Sequence, residues 1–270
     1  HWHLPLLKMD NKNLTYSVTA IDEKKRKKSL FIPAERPLTL YLNKRELITI
    51  MTLGMNTKSL VIGYLKNQHI ISSLEQILSI QIDWDVNAAV INTVTLNDRV
   101  FNSKKTVTSG CGQGTMFGDV AENLKTIKLN EQYLLSQVIL YEIINKVRLH
   151  DSVYRKAGSV HGCALFRDKE MLFYFEDIGR HNAVDAIAGK MWEEKMSGED
   201  LVFYTTGRLT SEMVIKGAQM GIPFLLSRSG VTQMGVEMAR KVNLTLLGRC
   251  SGKHFYIYHG ANRILFNGLD

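Results

Sequence analysis

Cysteine is scarce in this chain: three occur in 270 residues, at positions 111, 163 and 250. An odd and widely spaced set excludes a disulfide framework and fits a reducing compartment, so free thiols are expected. Long apolar runs are missing too. None reaches the roughly 18 residues that a membrane-spanning helix needs, and the N-terminus lacks the charged, apolar and small-residue order of a secretory signal. Together these absences predict a cytoplasmic protein.

A hydrophobic content of 45% is enough to bury a sizeable core in one or two domains. The 34 basic residues against 26 acidic ones give a net charge of +8, a field that favours anionic partners such as nucleic acid, a membrane surface or a polyphosphate cofactor. The basic run KKRKK (24–28) lacks interleaved aromatics, and no nucleic-acid-binding motif is present, so it reads as a solvated surface.

LTYSVTAID (14–22) alternates as a half-buried strand, and LTLYLN with ELITIMTL reads as a hairpin turning at Asn43 and Lys44. TKSLVIGYL and SLEQILSI carry helical spacing, the second opened by Ser72 or Ser73 as N-cap. AAVINTVTL is strand-like. These elements predict a small N-terminal α+β domain over 14–118, ending in a polar, glycine-rich segment from Asn102 to Gly118 that carries Cys111 in the context SGCGQGT.

The remainder, 119–270, opens with NEQYLLSQVILYEIINKVRLH (130–150), whose apolar spacing predicts a helix of about five turns. Six strand-like runs follow, VHGCALF, MLFYFED, LVFYTTG, PFLLS, LTLLG and FYIY, with helices expected near 180–196, 210–220 and 231–242. Such alternation predicts a layered α/β/α domain with ligands outside the strand ends where helices begin. Three strand-to-helix turns there, EDIGRHNAVD, TTGRLTSE and SRSGVTQ, would each aim backbone N–H groups and an arginine (Arg180, Arg208 or Arg228) at one edge of the sheet. Helix N-termini and arginines make anion sites. His181 and Asp185, four apart on one helical face, read either as a ligand-facing pair or as structural residues.

The series EDIGRHNAVD, TTGRLTSEMVIK, GIPFLLSRS and LTLLGR, preceded by RKAGSVHGCALF (155–166) and ERPLTLYLN (35–43), resembles the FdhD family, the sulfur-carrier accessory proteins of formate dehydrogenase. The motifs run in the family's order from about residue 35 to the end. The resemblance implies a sulfurtransferase that accepts sulfur as a persulfide from a cysteine desulfurase. It would pass that sulfur to the molybdenum or tungsten bis-guanine-dinucleotide cofactor before the cofactor enters formate dehydrogenase. It also implies a cytidine-deaminase-like second domain and a homodimer, with neither a nucleic-acid nor a membrane partner and no protein-ligated metal. Cys111 falls where the family carries its persulfide, and Arg249, Cys250, Ser251, Gly252, Lys253 and His254 match the segment that contacts the cofactor. Arg180, His181 and Arg208 are further candidates for that contact.

Flanking glycines suit a carrier thiol, because they permit close approach to a donor and to a cofactor. Successive N–H groups can also stabilise the thiolate, which is the reactive species. Many members of the family have Cys-x-x-Cys here, whereas this chain reads Cys111-Gly112-Gln113-Gly114, so an intraloop disulfide is excluded. Cys250 would be the substitute second thiol if its loop meets that of Cys111. The alternative reading is a cofactor-binding chaperone that moves no sulfur. A zinc deaminase is excluded by motif, since His161 is followed by Gly162 and Cys163 and no Pro-Cys-x-x-Cys occurs.

Overall fold

The computed structural model of the chain describes residues 13–94, 106–107, 114–115 and 124–267; Cys111 and the expected domain boundary at 118/119 lie outside them. Strand β1 (Thr15–Ile21) forms as its alternation predicts. It pairs in antiparallel register with β2 (Lys27–Pro33), a strand masked in the sequence by its lysines, and the two form a separate ribbon.

β3 (Arg36–Leu42) and β4 (Arg45–Thr52) make the expected hairpin. Asn43 and Lys44 both adopt positive φ, 48° and 69°, the conformation a two-residue turn needs to match strand twist. Helix α1 (Thr57–Asn67) crosses over and delivers the chain to β5 (Ile77–Asp83) and β6 (Ala88–Thr93), completing a four-stranded sheet in the order β4-β3-β6-β5. The second helix expected here, SLEQILSI, does not form. Ser73 and Gln76 do build a capping box, but it holds only the single 3-10 turn Leu74–Gln76. Beyond it Ile-Leu-Ser-Ile-Gln-Ile-Asp alternates with period two, and Ile80 and Ile82 pack on the sheet's core. Cross-strand pairing of β-branched residues overrides the cap.

β7 (Thr106–Val107) and β8 (Gly114–Thr115) pair antiparallel and bracket the stretch of sequence that contains Cys111. After β9 (Leu135–Ser136), helix α2 (Gln137–Leu149) starts later than 130, because Leu135 and Ser136 are committed to a parallel ladder with β16 (Ile264–Leu265). Ser136 then caps the helix, its Oγ accepting from Ile139 N at 3.2 Å. The five-residue helix α3 (Val153–Ala157) follows.

The larger sheet is built from β10 (His161–Arg167), β11 (Glu170–Asp177), β12 (Val202–Thr205), β13 (Phe224–Ser227), β14 (Thr245–Ser251) and β15 (His254–His259), in the order β11-β10-β12-β13-β14-β15. One face packs on α2 through Leu140, Ile143 and Ile144. The other is covered by α4 (Arg180–Glu193), α5 (Ser211–Gln219) and α6 (Gln233–Val242), close to the ranges expected for them. The whole is a mixed α/β protein with six α-helices among the described residues. None of those helices is long and apolar enough to cross a membrane.

The two sheets are joined through α1 and α4. A Cβ added to Gly63 would fall 1.6 Å from the Asp185 carbonyl oxygen, and one added to Gly189 would fall 1.8 Å from that of Ser59. No side chain larger than hydrogen fits at that crossing. Around it, Thr52 Oγ1 donates to Asp177 Oδ2 at 2.5 Å, Asn182 Nδ2 to the Met51 carbonyl at 2.8 Å, and Ser59 Oγ to Glu193 Oε2 at 2.6 Å.

Candidate functional site

Strand direction gathers the site. β10 runs antiparallel to both β11 and β12, while β12, β13 and β14 are parallel, so Asp177, Thr205, Ser227 and Ser251 all end at one edge of the sheet. α4, α5 and α6 start from that edge, as the three arginine-bearing turns predict. The turns are stitched together: Ser227 Oγ donates to the Gly207 carbonyl at 2.6 Å, Arg228 N to Thr205 O at 3.0 Å, and Arg249 N to Ser229 O at 2.7 Å.

A pocket of about 80 Å³ opens on the α2 side of this edge. Its wall includes Arg148 from α2, Tyr154 and Arg155 from α3, Thr206 and Arg228 from the sheet edge, and Cys250, Ser251 and Gly252 from the β14–β15 turn. Arg228 Nη1 donates to Tyr154 Oη at 3.3 Å, and its guanidinium lies 5.6 Å from that ring's centroid. Behind the wall the buried Glu176 carboxylate accepts from Val153 N at 2.8 Å and Tyr154 N at 2.9 Å, fixing the first turn of α3. Burial pushes the Tyr174 and Tyr204 hydroxyls well above their ordinary range, so both remain neutral hydrogen-bonding groups on the lining. The chemistry of the wall is that of an anion site with an aromatic surface: three guanidinium groups and a tyrosine ring that one of them already stacks on.

The expected segment 249–254 divides here. Cys250, Ser251 and Gly252 line the pocket, whereas Arg249, Lys253 and His254 are exposed and stand outside its lining. A bulge between Gly248 and Ser251 puts Arg249 in the left-handed region at φ 55°, and its guanidinium is carried over the Gly230 turn. Lys253 sits in the tight turn between β14 and β15. Cys250 is 1% exposed, and burial pushes its thiol up to about 12, so at neutral pH it is a protonated wall group. Cys163, fully buried in β10, is held up to about 12 by the same cause.

The EDIGRHNAVD turn, and TTGRLTSE beyond Thr206, lead to the helices on the other face of the same edge. Arg208 is exposed, while Arg180 is buried against Gly207. His161 is half-buried, with Nδ1 3.4 Å from Thr206 Oγ1; burial, then Arg180 and Arg208, lower its pKa. His181 is structural. Its Nε2 lies 3.2 Å from Glu212 Oε2, which would favour a charged ring, yet burial together with Lys216 and Arg180 holds the imidazole neutral. Asp185 is equally internal, paired with Lys216 Nζ at 2.8 Å. Both residues of that pair are buried against partners on the next helix. Cys111 lies outside the described residues, and no cluster of potential metal ligands occurs among those described.

Arg148, Ser152, Tyr154, Tyr174, Tyr204 and Thr206 were not expected from the sequence. One signal was available. Ser152 is an N-cap, its Oγ accepting from Arg155 N at 3.1 Å, and a cap before Val-Tyr-Arg-Lys marks a short helix presenting an aromatic and a cation together.

Comparison with known proteins gives the chain its relatives. The chain is 30% identical over 237 residues to the sulfur carrier protein FdhD of Listeria monocytogenes, a match that covers 86% of this chain and 91% of that protein. It is also 30% identical over 252 residues to the protein of the same name from Saccharolobus solfataricus, covering 90% and 94%. A crystal structure of a formate dehydrogenase accessory protein from Desulfotalea psychrophila superposes with a TM-score of 0.75 at 25% identity, over 93% of this chain and 98% of that one. The model of the FdhD/NarQ family matches residues 33–265, spanning both sheets and every turn of the pocket edge, and the chain belongs to that family.

Proposed function

We propose that this protein is a sulfurtransferase serving formate dehydrogenase, with Cys111 as the persulfide carrier and the pocket beside Arg228 as the seat of a guanine-dinucleotide cofactor. In the first step the Cys111 thiolate attacks the outer sulfur of a cysteine desulfurase persulfide. A new S–S bond forms at Cys111 and the desulfurase thiolate leaves. In the second step the S–S bond at Cys111 breaks, Cys111 leaves as the thiolate, and the outer sulfur becomes a sulfido ligand of the molybdenum or tungsten centre of the bis-guanine-dinucleotide cofactor, whose reduced metal supplies the two electrons; that cofactor is the substrate rather than a resident group.

The observation that carries this reading is the pocket. Arg148, Arg155 and Arg228 offer charge-assisted donors to phosphate oxygens, Tyr154 offers a face for a base, and Ser251 with the Gly252 backbone allows close approach. Arg208 and Arg249, exposed along the same edge, extend the positive field over the rest of a long polyanion. A cytidine-deaminase-like identity for the second domain, domains over 14–118 and 119–270, a cytoplasmic location and a homodimer belong to the same proposal.

Two measurements test it. Incubation with a desulfurase and cysteine adds about 32 Da at Cys111, and titration with GDP gives saturable binding that Arg228→Ala weakens. A Cys111→Ala protein that binds the cofactor yet fully restores formate dehydrogenase activity would overturn sulfur transfer in favour of a cofactor-binding chaperone.

A further inference from the structure

The KKRKK run has no place in the pocket, and the ribbon that carries it leaves one face uncovered by the described residues. The register of β1 with β2 puts Tyr16 opposite Ile32, Val18 opposite Leu30 and Ala20 opposite Lys28. With period two, Tyr16, Val18, Ala20, Leu30 and Ile32 therefore share one face. Tyr16, Leu30 and Ile32 are 48%, 48% and 45% exposed, and none of the five joins a hydrophobic cluster among the described residues. A two-stranded ribbon with an open apolar face is marginal alone.

The charges lie at the far end. Asp22 accepts from the Lys24 and Arg26 backbone N–H groups and pairs with Arg26 at 2.7 Å and Lys28 at 3.6 Å, which fixes the turn. Lys24, Lys25 and Lys27 have no acidic partner among the described residues, so the tip presents them outward. At the base the ribbon rests on α3: the Lys156 ammonium lies 4.3 Å from the Phe31 ring centroid. The next two residues back along α3, Tyr154 and Arg155, line the pocket. One short helix therefore has the ribbon on one side and the pocket on the other.

We propose that the β1–β2 ribbon is the docking arm for apo formate dehydrogenase, meeting an acidic rim with its lysine tip and an apolar ridge with the Tyr16–Leu30–Ile32 face. The arrangement selects this occupant. A flat bilayer that met the tip would leave the Val18–Leu30 pair, three positions back from the Ile21–Lys27 pair, about 10 Å behind the end of the ladder at about 3.3 Å per residue. A second copy of this chain brings the same cations and a net charge of +8, so like charges oppose self-association at the tip. A protein surface can be stepped and acidic at once. Contact through α3 places it beside the pocket from which, on the function proposed above, the loaded cofactor must be handed over.

The test uses the full chain and purified apo formate dehydrogenase, with binding measured at low and high salt. Lys24→Glu/Lys25→Glu/Lys27→Glu raises the Kd at least tenfold at low salt, and the difference collapses near 1 M, where the Debye length is about 3 Å. Leu30→Ser/Ile32→Ser, and separately Tyr16→Ser on the opposite strand, weaken binding by a similar factor at both salts. All three variants keep wild-type GDP affinity, thermal midpoint and 32 Da loading at Cys111. An unchanged Kd for the dehydrogenase overturns the proposal. So does a defect that appears instead in loading by the desulfurase, in binding to phosphatidylserine vesicles, or in self-association by sedimentation. Absence of GDP binding or of Cys111 loading in the wild-type chain would sink the sulfurtransferase reading and leave the dehydrogenase contact to be judged by its own Kd.

Discussion

Asn67 Nδ2 donates to Asp185 Oδ1 at 2.7 Å, a bond that crosses from the helix of the four-stranded sheet to the helix of the six-stranded one. Asp185 is fully buried and its other partner, Lys216, is 3% exposed, so each charge depends on the other for its solvation. Asp185→Ala should leave an uncompensated ammonium inside the protein and cost about 3–5 kcal/mol in urea unfolding. Asp185→Leu combined with Lys216→Met should cost clearly less than the single change. A double variant no more stable than Asp185→Ala would show that the unpaired ammonium is not what the single change costs.

Gly63→Ala and Gly189→Ala make a sharper test, because helix propensity and packing predict opposite signs. In an open helix each change would stabilise by about 1 kcal/mol. Here each added methyl lands within 2 Å of a facing carbonyl oxygen, so both should destabilise by about 3 kcal/mol or more. Thermal melts of the two variants decide the matter.

Stability should also fall as pH rises from about 4 to 6. Burial raises the Asp177 carboxyl from 3.8 to about 6 despite the hydrogen bonds it accepts from Thr52, Asn182, Leu53 and Ile178. The folded state therefore holds a proton that the unfolded chain has released in that window, and deprotonation of the folded state costs stability, of order 3 kcal/mol across it. In Asp177→Asn this contribution to the slope should vanish, whatever the variant's absolute stability. An unchanged slope would assign the effect to another group.

Cys163 and Cys250 should resist iodoacetamide at pH 8 until the protein is unfolded, since both thiols are buried and protonated. Burial of Cys250 disfavours the thiolate that a second redox thiol would need. Cys250→Ser is expected to load and transfer sulfur at the wild-type rate, measured by mass spectrometry over time.

At the pocket, Arg228→Ala should weaken GDP by about 10- to 100-fold, the loss of one charge-assisted anion contact worth about 1.5–3 kcal/mol. Arg228→Lys should recover only part of this, because an ammonium cannot reproduce the stacked fork on Tyr154. Equal affinity in all three proteins would move the nucleotide elsewhere on the edge.

Much of this architecture was legible in the sequence. The alternation from Val160 onward located six strands and three helices, and the Gly-Arg turns located the edge where they meet. Two kinds of information were not local. SLEQILSI carries a sound N-cap, and only the partner strand β6 reveals that its isoleucines are wanted in a sheet. His181 and Asp185 have the spacing of a ligand-facing pair, but Glu212 and Lys216, on the next helix, claim them. The pocket itself mixes residues from α2, α3 and the turns of three strands, so its lining exists only after the fold does. Arg249 was legible as a cation and illegible in direction, since a bulge and a left-handed backbone aim it away from its neighbours in sequence.

The crossing of α1 and α4, with hydrogen atoms where Cβ atoms would collide and a sealed ion pair beneath, behaves as a weld rather than a pivot. Whatever rearrangement accompanies turnover finds no articulation at this crossing to draw upon. They ride together as one chassis.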